Sequence, residues 1–382
     1  MFLELIALLD VALWLYLLLA HGQFWRLIAL KQDTPLPEVW PEVCVIIPAR
    51  NEADMLDGTL ASVLMSDYPQ LHVLLVDDHS EDGTVHAARR IAKQCGAEDH
   101  LTLVSGRPLP GFKGKVAAMQ SGLDYLTVSA RTPRYVLFTD ADVAYDRHML
   151  KSLVAHAETG NYVLTSLMVR LRCKSIAERW LIPAFVYFFQ LLYPFRRINN
   201  PSRKTAGAAG GCMLVRYEAL AKTEGLWPIR HALIDDCALG KLLKQQGPIW
   251  LGLTQDVRSV RAYPKVRDIG AMVARTAYDQ LGYSPLMLAL SLLGLALAFL
   301  APVAVAVTAE GIVQWLALVS WILMCLTYVP LLRFYRRPVF TSVLLPVVAL
   351  FYMGFTVASA CQYWRGRGGM WKGRMQATGF SR

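Results

Sequence analysis

The sequence predicts an α/β domain, helices on both faces of a mostly parallel sheet, carried between membrane-spanning helices at both ends of the chain. Three observations lead there. Between residue 43 and about residue 262, short apolar runs alternate with helix-like stretches. Of the 382 residues, 55% are hydrophobic, and the excess collects in the first twenty or so residues and the last hundred. Several of the middle runs end abruptly in acidic residues.

Residues 2–20 (FLELIALLDVALWLYLLLA) are long enough for a helix across a roughly 30 Å hydrocarbon core, despite Glu4 and Asp10. A cleaved signal peptide needs a basic start and a shorter apolar region. The segment has neither, so 1–22 reads as an uncleaved anchor. Its positive flank, Arg26 and Lys31, follows the helix. That puts the next domain, 40–280, in the cytoplasm, and the chain in the inner (cytoplasmic) membrane as a multi-pass protein.

Residues 43–48, 71–76, 101–104 and 135–139 read as buried strands, being continuous apolar runs. Helices are expected at 52–65, 82–94, 115–127 and 147–157. Residues 176–195 (IAERWLIPAFVYFFQLLYPF) are apolar and aromatic, with Pro183 and Pro194 inside and Arg196 and Arg197 following. They suit a helix lying in the membrane interface or one buried in the core.

Three apolar stretches, near 285–307, 312–332 and 339–361, make up a C-terminal membrane region of 285–362. The link 308–311 is short and acidic, as expected outside; the link 333–337 is basic, as expected inside. A third full crossing would put the basic tail, 363–382, outside. Either the tail breaks the positive-inside tendency or one segment is re-entrant or interfacial.

The net charge is +10, much of it flanking apolar stretches: Arg26 and Lys31, Arg333, Arg336 and Arg337, Arg365, Arg367, Lys372 and Arg374. Basic residues there meet anionic headgroups. No nucleic-acid motif accompanies the charge, so nucleic acid is not an expected partner. The seven cysteines (44, 95, 173, 212, 237, 325, 361) form no CxxC pair or Cys/His cluster. Free thiols in a reducing compartment are expected, and zinc is not.

In a parallel α/β sheet, ligands bind beyond the carboxyl ends of the strands. The first strand runs into Pro48, Arg50 and Glu52; the second ends in Asp77 and Asp78; the fourth ends in Asp140-Ala-Asp142. Ser80 and Asp82 read as helix caps. Repeated acids on apolar strands are harder to read as caps, because clustered carboxylates repel without a cation or donor between them. Two carboxylates at i and i+2 can face a divalent ion, which favours hard oxygen ligands together with substrate phosphates. There is no GxxxxGK[ST] and no GxGxxG after the first strand, so neither a P-loop nor a dinucleotide fold is expected. Lys115 precedes a helical run and would either reach a phosphate or sit in a solvated loop.

VIIPARNE (45–52), VDDHSEDGT (76–84), Gly114-Lys115 with Ala118 and Gly122, and Asp140-Ala-Asp142 stand in an order that resembles family 2 glycosyltransferases of the GT-A fold, over roughly residues 40 to 265. The N-terminal anchor, the C-terminal segments, ARTAYDQLGYS (274–284) and Trp371-Lys-Gly-Arg374 resemble the hopene-associated members of that family. The resemblance implies a nucleotide-sugar donor, a UDP-sugar, with Mg2+ or Mn2+ as cofactor. It implies a membrane lipid as acceptor, a hopanoid in the closer match.

By the same resemblance, Pro48, Arg50 and Glu52 would line the base and ribose pocket. Asp78, with Asp77 beside it, would contact the uracil or its ribose. Asp140 would hold the ribose or the metal, and Asp142 would ligate the metal. Gly207 to Gly211, including Gly210 and Gly211, would form a loop under the sugar and acceptor, or else a turn before a strand at 212–215. The family's catalytic base is an acid opening a late helix. Asp236 is the first choice here and Asp235 the second, ahead of a helix at 238–246; both also suit a helix N-terminus electrostatically. Processive members carry Gln-x-x-Arg-Trp. Here only Arg275 remains, to serve the diphosphate, so transfer of a single sugar is expected. Two rivals are a membrane nucleotidyltransferase, which would release pyrophosphate, and a non-catalytic scaffold on a degenerate transferase fold.

Overall fold

The computed structural model describes residues 2–30 and 34–369. Lys31, Lys372, Arg374 and the 371–374 motif lie outside them. Helix α1 (Phe2–Leu19) opens the chain. Trp14 is fully buried there, and its indole N–H donates to the Ala298 carbonyl at 2.8 Å, fastening α1 to the later apolar helices.

The chain then runs through β1 (Val43–Ala49), α2 (Ala53–Leu64), β2 (Leu71–Asp77), α3 (Thr84–Gln94), β3 (Leu101–Ser105), α4 (Gly114–Val128) and β4 (Tyr135–Thr139). These four strands pair in parallel in the order β3-β2-β1-β4, Val43 standing opposite both Leu71 and Tyr135. Both faces are covered, which is why the strands read as unbroken apolar runs. Ile46, Leu74 and Phe138 join one hydrophobic cluster; Val45, Val73 and Leu137 join another on the opposite face.

Next come β5 (Val143–Tyr145), α5 (Met149–Thr159), β6 (Leu164–Arg170), α6 (Ile176–Leu192), α7 (Phe195–Ile198), β7 (Cys212–Arg216), α8 (Tyr217–Ala221), α9 (Asp235–Leu243) and β8 (Ile249–Ser259). The sheet continues past β4 as β7-β6-β8-β5, with β7 antiparallel to β4 and to β6, β6 parallel to β8, and β5 antiparallel to β8. Strands β5, β6 and β8 are additions to the expected set. Helix α9 starts at Asp235, three residues before the expected 238, so both acids stand in its first turn.

The remaining helices are α10 (Val266–Ala274), α11 (Ala277–Gln280), α12 (Pro285–Leu295), α13 (Ala301–Thr308), α14 (Gly311–Phe334) and α15 (Leu345–Trp364). A single π turn, Ala296–Leu300, joins α12 to α13. Among the described residues, four helices are long and apolar enough to cross a membrane: Phe2–Leu19, Pro285–Thr308, Gly311–Phe334 and Val339–Trp364.

The last of them lies along the α/β domain. Tyr352 of α15 donates to the Leu181 carbonyl of α6 at 2.8 Å. Phe355 packs on Gly270 of α10, where a Cβ would sit 2.8 Å from the ring. Ser359 donates to the Ala274 carbonyl, and Tyr363 stacks on Tyr283 at 4.3 Å. The end of α14 is also at the domain, since Gln255 of β8 donates to the Phe334 carbonyl. Residues 352–363 of α15 therefore pack against the domain, while Val347, Leu350 and Phe351 are exposed. Helix α6 is sandwiched between the domain and the apolar helices; Tyr187 is buried and bonded to Thr327 of α14.

Candidate active site at the strand ends and the membrane-facing cavity

The ends of β1 and β2 turn through Asn51 and His79, both left-handed without being glycine (φ 50° and 54°). The two loops are laced together. Asn51 N–H donates to Ser80 Oγ, and Glu81 N–H donates to Asn51 Oδ1, both at 2.9 Å. Ser80 therefore links two loops where a helix cap was expected. Asp82 does cap: it accepts from Thr84 at the start of α3 and from Ala53 at the start of α2. Asp77 accepts the Ser80 N–H, which commits it to its own turn. Arg50 donates to the Asp78 carbonyl at 2.6 Å and lies 3.7 Å from its carboxylate. Pro48 is buried within β1.

Two strand spacings away from the β2 end, roughly 10 Å, the end of β4 opens into a cavity of about 400 Å³. Asp140, Asp142, Asp235, Asp236, Lys115, Gly210, Gly211 and Arg275 all contribute to its wall. Lys115, from the start of α4, lies 2.8 Å from Asp140 Oδ1 and 3.4 Å from Asp235 Oδ2. Burial alone would lower the Lys115 ammonium, but the two carboxylates overcome it and raise it. Asp236 accepts the Gly210 N–H at 2.8 Å and the Cys237 N–H at 2.7 Å. Its carboxyl is raised to about 6, first by burial and then by the charge of Asp235, against the opposing pull of Lys115.

The position of Asp236 follows from close packing. A Cβ on Gly240 of α9 would sit 2.8 Å from the Gly207 backbone, so glycine there lets the helix press onto the 207–211 loop. A Cβ on Gly210 would meet Lys115 Nζ at 3.2 Å and Asp236 Oδ2 at 3.3 Å.

Asp142 is held differently. Its Oδ2 accepts from Ser259 at 3.1 Å and from Arg261 Nε at 2.8 Å. Arg261 Nη2 also reaches both oxygens of Glu52, at 2.8 and 3.0 Å. Arg261 thus bridges Asp142 and Glu52, two of the residues expected at the site. Asp140, Asp142 and Asp236 share the cavity wall, joined by Asp235, whereas Asp78 stands at the neighbouring strand ends. Sequence reasoning missed Arg261, which lies 119 residues from Asp142 and 209 from Glu52, with no local motif around it. It also missed Tyr263, whose N–H donates to buried Glu178 of α6 and ties the Arg261 loop to that helix. All seven cysteines are free, as expected. Among the described residues, no three His, Cys, Asp or Glu side chains converge as a metal cluster.

Residues 44–223 match the model of the glycosyl transferase family 2. The match covers a little under half of the chain. It includes Asp78, Lys115, Asp140, Asp142 and Gly210, and it ends before Asp235, Asp236, Arg261 and Arg275. The probable glycosyltransferase YdaM of Bacillus subtilis is 28% identical over 124 residues, 31% of this chain, and the match spans 29% of that protein's length. The mannosyltransferase PcManGT of Pyrobaculum calidifontis, solved in complex with GDP-Man and Mn2+, superposes with a TM-score of 0.57 at 22% identity. That likeness covers 94% of this chain and 98% of the mannosyltransferase, so the two share a fold of the GT-A type along nearly their whole length.

Proposed function

We propose that this protein transfers a single sugar, with inversion, from a nucleotide-diphosphate sugar to a hydroxyl group of a membrane lipid. The observation that carries the reading is Lys115 bracketed by Asp140 and Asp235 beside the raised carboxylate of Asp236, with Lys115 and Asp140 inside the segment that matches family 2 and the cavity continuing between apolar helices. The nucleotide would lie over the ends of β1 and β2, near Pro48, Arg50, Asp77 and Asp78. Its diphosphate would reach toward Arg275 and the end of β4. The sequence resemblance favours a UDP-sugar as donor and makes a hopanoid alcohol the first acceptor to test.

In this mechanism the acceptor oxygen attacks the anomeric carbon from the face opposite the nucleotide. The bond from that carbon to the diphosphate oxygen breaks, and Asp236 Oδ2 takes the hydroxyl proton. A general base of this kind is worth about 10²–10⁴-fold. Gly210 N–H holds the Asp236 carboxylate in place, and Asp235 keeps its proton affinity high enough to serve near neutral pH.

The donor set fits a divalent cation. Asp142 offers Oδ1 while Oδ2 is engaged by Arg261, and Asp140 offers Oδ2 while Oδ1 faces Lys115. Two hard oxygens, completed by substrate phosphates, suit Mg2+ or Mn2+. When bound, such an ion would neutralise charge on the departing diphosphate.

For the membrane, the reading is that α1, α12–α13 and α14 cross and α15 lies in the interface. Arg26, Arg333, Arg336, Arg337, Arg365 and Arg367 then share the domain side, which supports a cytoplasmic domain at the inner membrane.

The test is to incubate membranes containing the protein with a panel of UDP-sugars and to analyse extracted lipids by mass spectrometry. The expected result is one glycosylated lipid that gains a single hexose-sized unit. Release of pyrophosphate, or labelled polymer, would overturn the reading.

A further inference from the structure

The cavity that holds Asp236 does not stop at the acids. Its far half is apolar, walled by Phe185, Phe188 and Leu192 of α6, Ser291 and Leu295 of α12, and Thr356 of α15. We infer that this half is the acceptor's berth, entered sideways from the bilayer between α6 and the apolar helices, and that it admits an uncharged lipid alcohol and rejects a lipid phosphate. The inference rests on the proposed transferase reading and adds the chemistry of the acceptor to it.

Depth is the first argument. Ser291 and Leu295 are six and ten residues in from the start of α12 at Pro285, so the berth reaches about 9 to 15 Å along that helix. Half of a roughly 30 Å hydrocarbon core is about 15 Å, the thickness of one leaflet. An apolar body in the leaflet can therefore stay there while its polar end meets Asp236. Leu192, at the end of α6, is 61% exposed and forms an apolar sill at the mouth.

Charge is the second argument. Four aspartates, at 140, 142, 235 and 236, face the cavity. Lys115 is already shared by Asp140 and Asp235, and Arg261 by Asp142 and Glu52. Among the described residues Arg275 is the remaining cation of the wall, and the donor's own diphosphate would take it together with the divalent ion proposed at Asp140 and Asp142. An acceptor phosphate would add negative charge with no cation left to meet it, in a partly desolvated site where like charges repel strongly. An alcohol adds no charge. It also needs a base, whereas a phosphate is already ionised at neutral pH, so a buried carboxylate at the head of the berth is useful only to the alcohol.

The experiment uses the purified full-length protein in nanodiscs, UDP-sugars as donors, and two acceptors differing only in the head: geranylgeraniol and geranylgeranyl monophosphate. Nucleotide release without acceptor is measured alongside. The expected result is transfer to the alcohol, with kcat/KM for the monophosphate lower by about 10-fold or more, the scale of one uncompensated charge. Narrowing the berth by Ser291→Trp, or more gently by Leu295→Phe, is expected to raise the acceptor KM about 10-fold relative to the donor KM. Leu290→Trp, at an exposed position outside the berth, serves as the reference.

A monophosphate used as well as the alcohol, or an unchanged acceptor KM in both narrowing variants, would overturn the berth. If UDP is still released from the donor in those cases, the transferase reading stands without it. If the wild-type protein releases no UDP from any donor, with or without acceptor, both readings fall.

Discussion

Two charge clusters flank the Asp140-Ala-Asp142 turn, and they are built differently. On the cavity side one lysine stands among Asp140, Asp235 and Asp236. On the other side one arginine spans Asp142 and Glu52 with a planar fork. Lysine is a point charge on a flexible stem, whereas arginine fixes geometry through several directed donors. The first cluster is buried and has two negative charges more than its lysine can balance; burial first, and then the charge of Asp235, leave Asp236 with an unusually high proton affinity. The second is closely paired and joins β1, β4 and the segment after β8. The difference separates a carboxyl of raised proton affinity, the proposed base, from a pairing that holds walls together.

Substitutions can break or sharpen that contrast. The largest effect is expected for Asp236→Asn, which keeps shape and removes basicity: transfer should fall by about 10²–10⁴-fold while donor affinity, measured by titration calorimetry, stays within reach of wild type. Arg261→Ala should act on stability first. It strips charge-assisted hydrogen bonds from two buried acids and should cost about 1.5–3 kcal/mol in a denaturant melt. Arg261→Lys should recover charge without the fork and restore only part of that loss.

Asp235→Asn should move the pH profile. As the proposed base, Asp236 must be deprotonated, so activity should be lost as pH falls through its pKa, raised to about 6 in the wild type. Removing the neighbouring negative charge lowers that pKa, and the acid limb of kcat/KM should shift to lower pH. A limb that stays put would separate Asp235 from the tuning of Asp236. The smallest effect belongs to Arg90→Ala, whose exposed partner Asp57 lies 2.7 Å away; about 0–1 kcal/mol is expected there.

The parallel half of the sheet could be read directly from the chain, because β1, β2 and β4 are buried on both faces and appear as unbroken apolar runs. The mixed half could not. In β6, Thr165 and Ser166 are fully buried polar residues, and Ser166 bonds to the 209–212 loop, 43 residues away or more. Its alternation therefore looks like a loop until the partner is in place. The acids at 140, 142, 235 and 236 were legible as residues at element ends, while Arg261 was not. Its role exists only once three distant segments have met. Helix α15 is long and apolar enough to cross a membrane, and its contacts with the domain through Tyr352, Phe355 and Ser359 could not be read from that composition.

The central claim is sugar transfer at the Lys115–Asp140–Asp235–Asp236 cluster, and the nucleotide product tests it most directly. Purified protein, a UDP-sugar, lipid acceptor and Mn2+ would be resolved by anion-exchange chromatography, with and without chelator, for wild type and Asp236→Asn. The account predicts UDP in one-to-one amount with glycosylated lipid, lost on chelation and in the variant. Pyrophosphate as product, or undiminished UDP and glycolipid from Asp236→Asn, would contradict it.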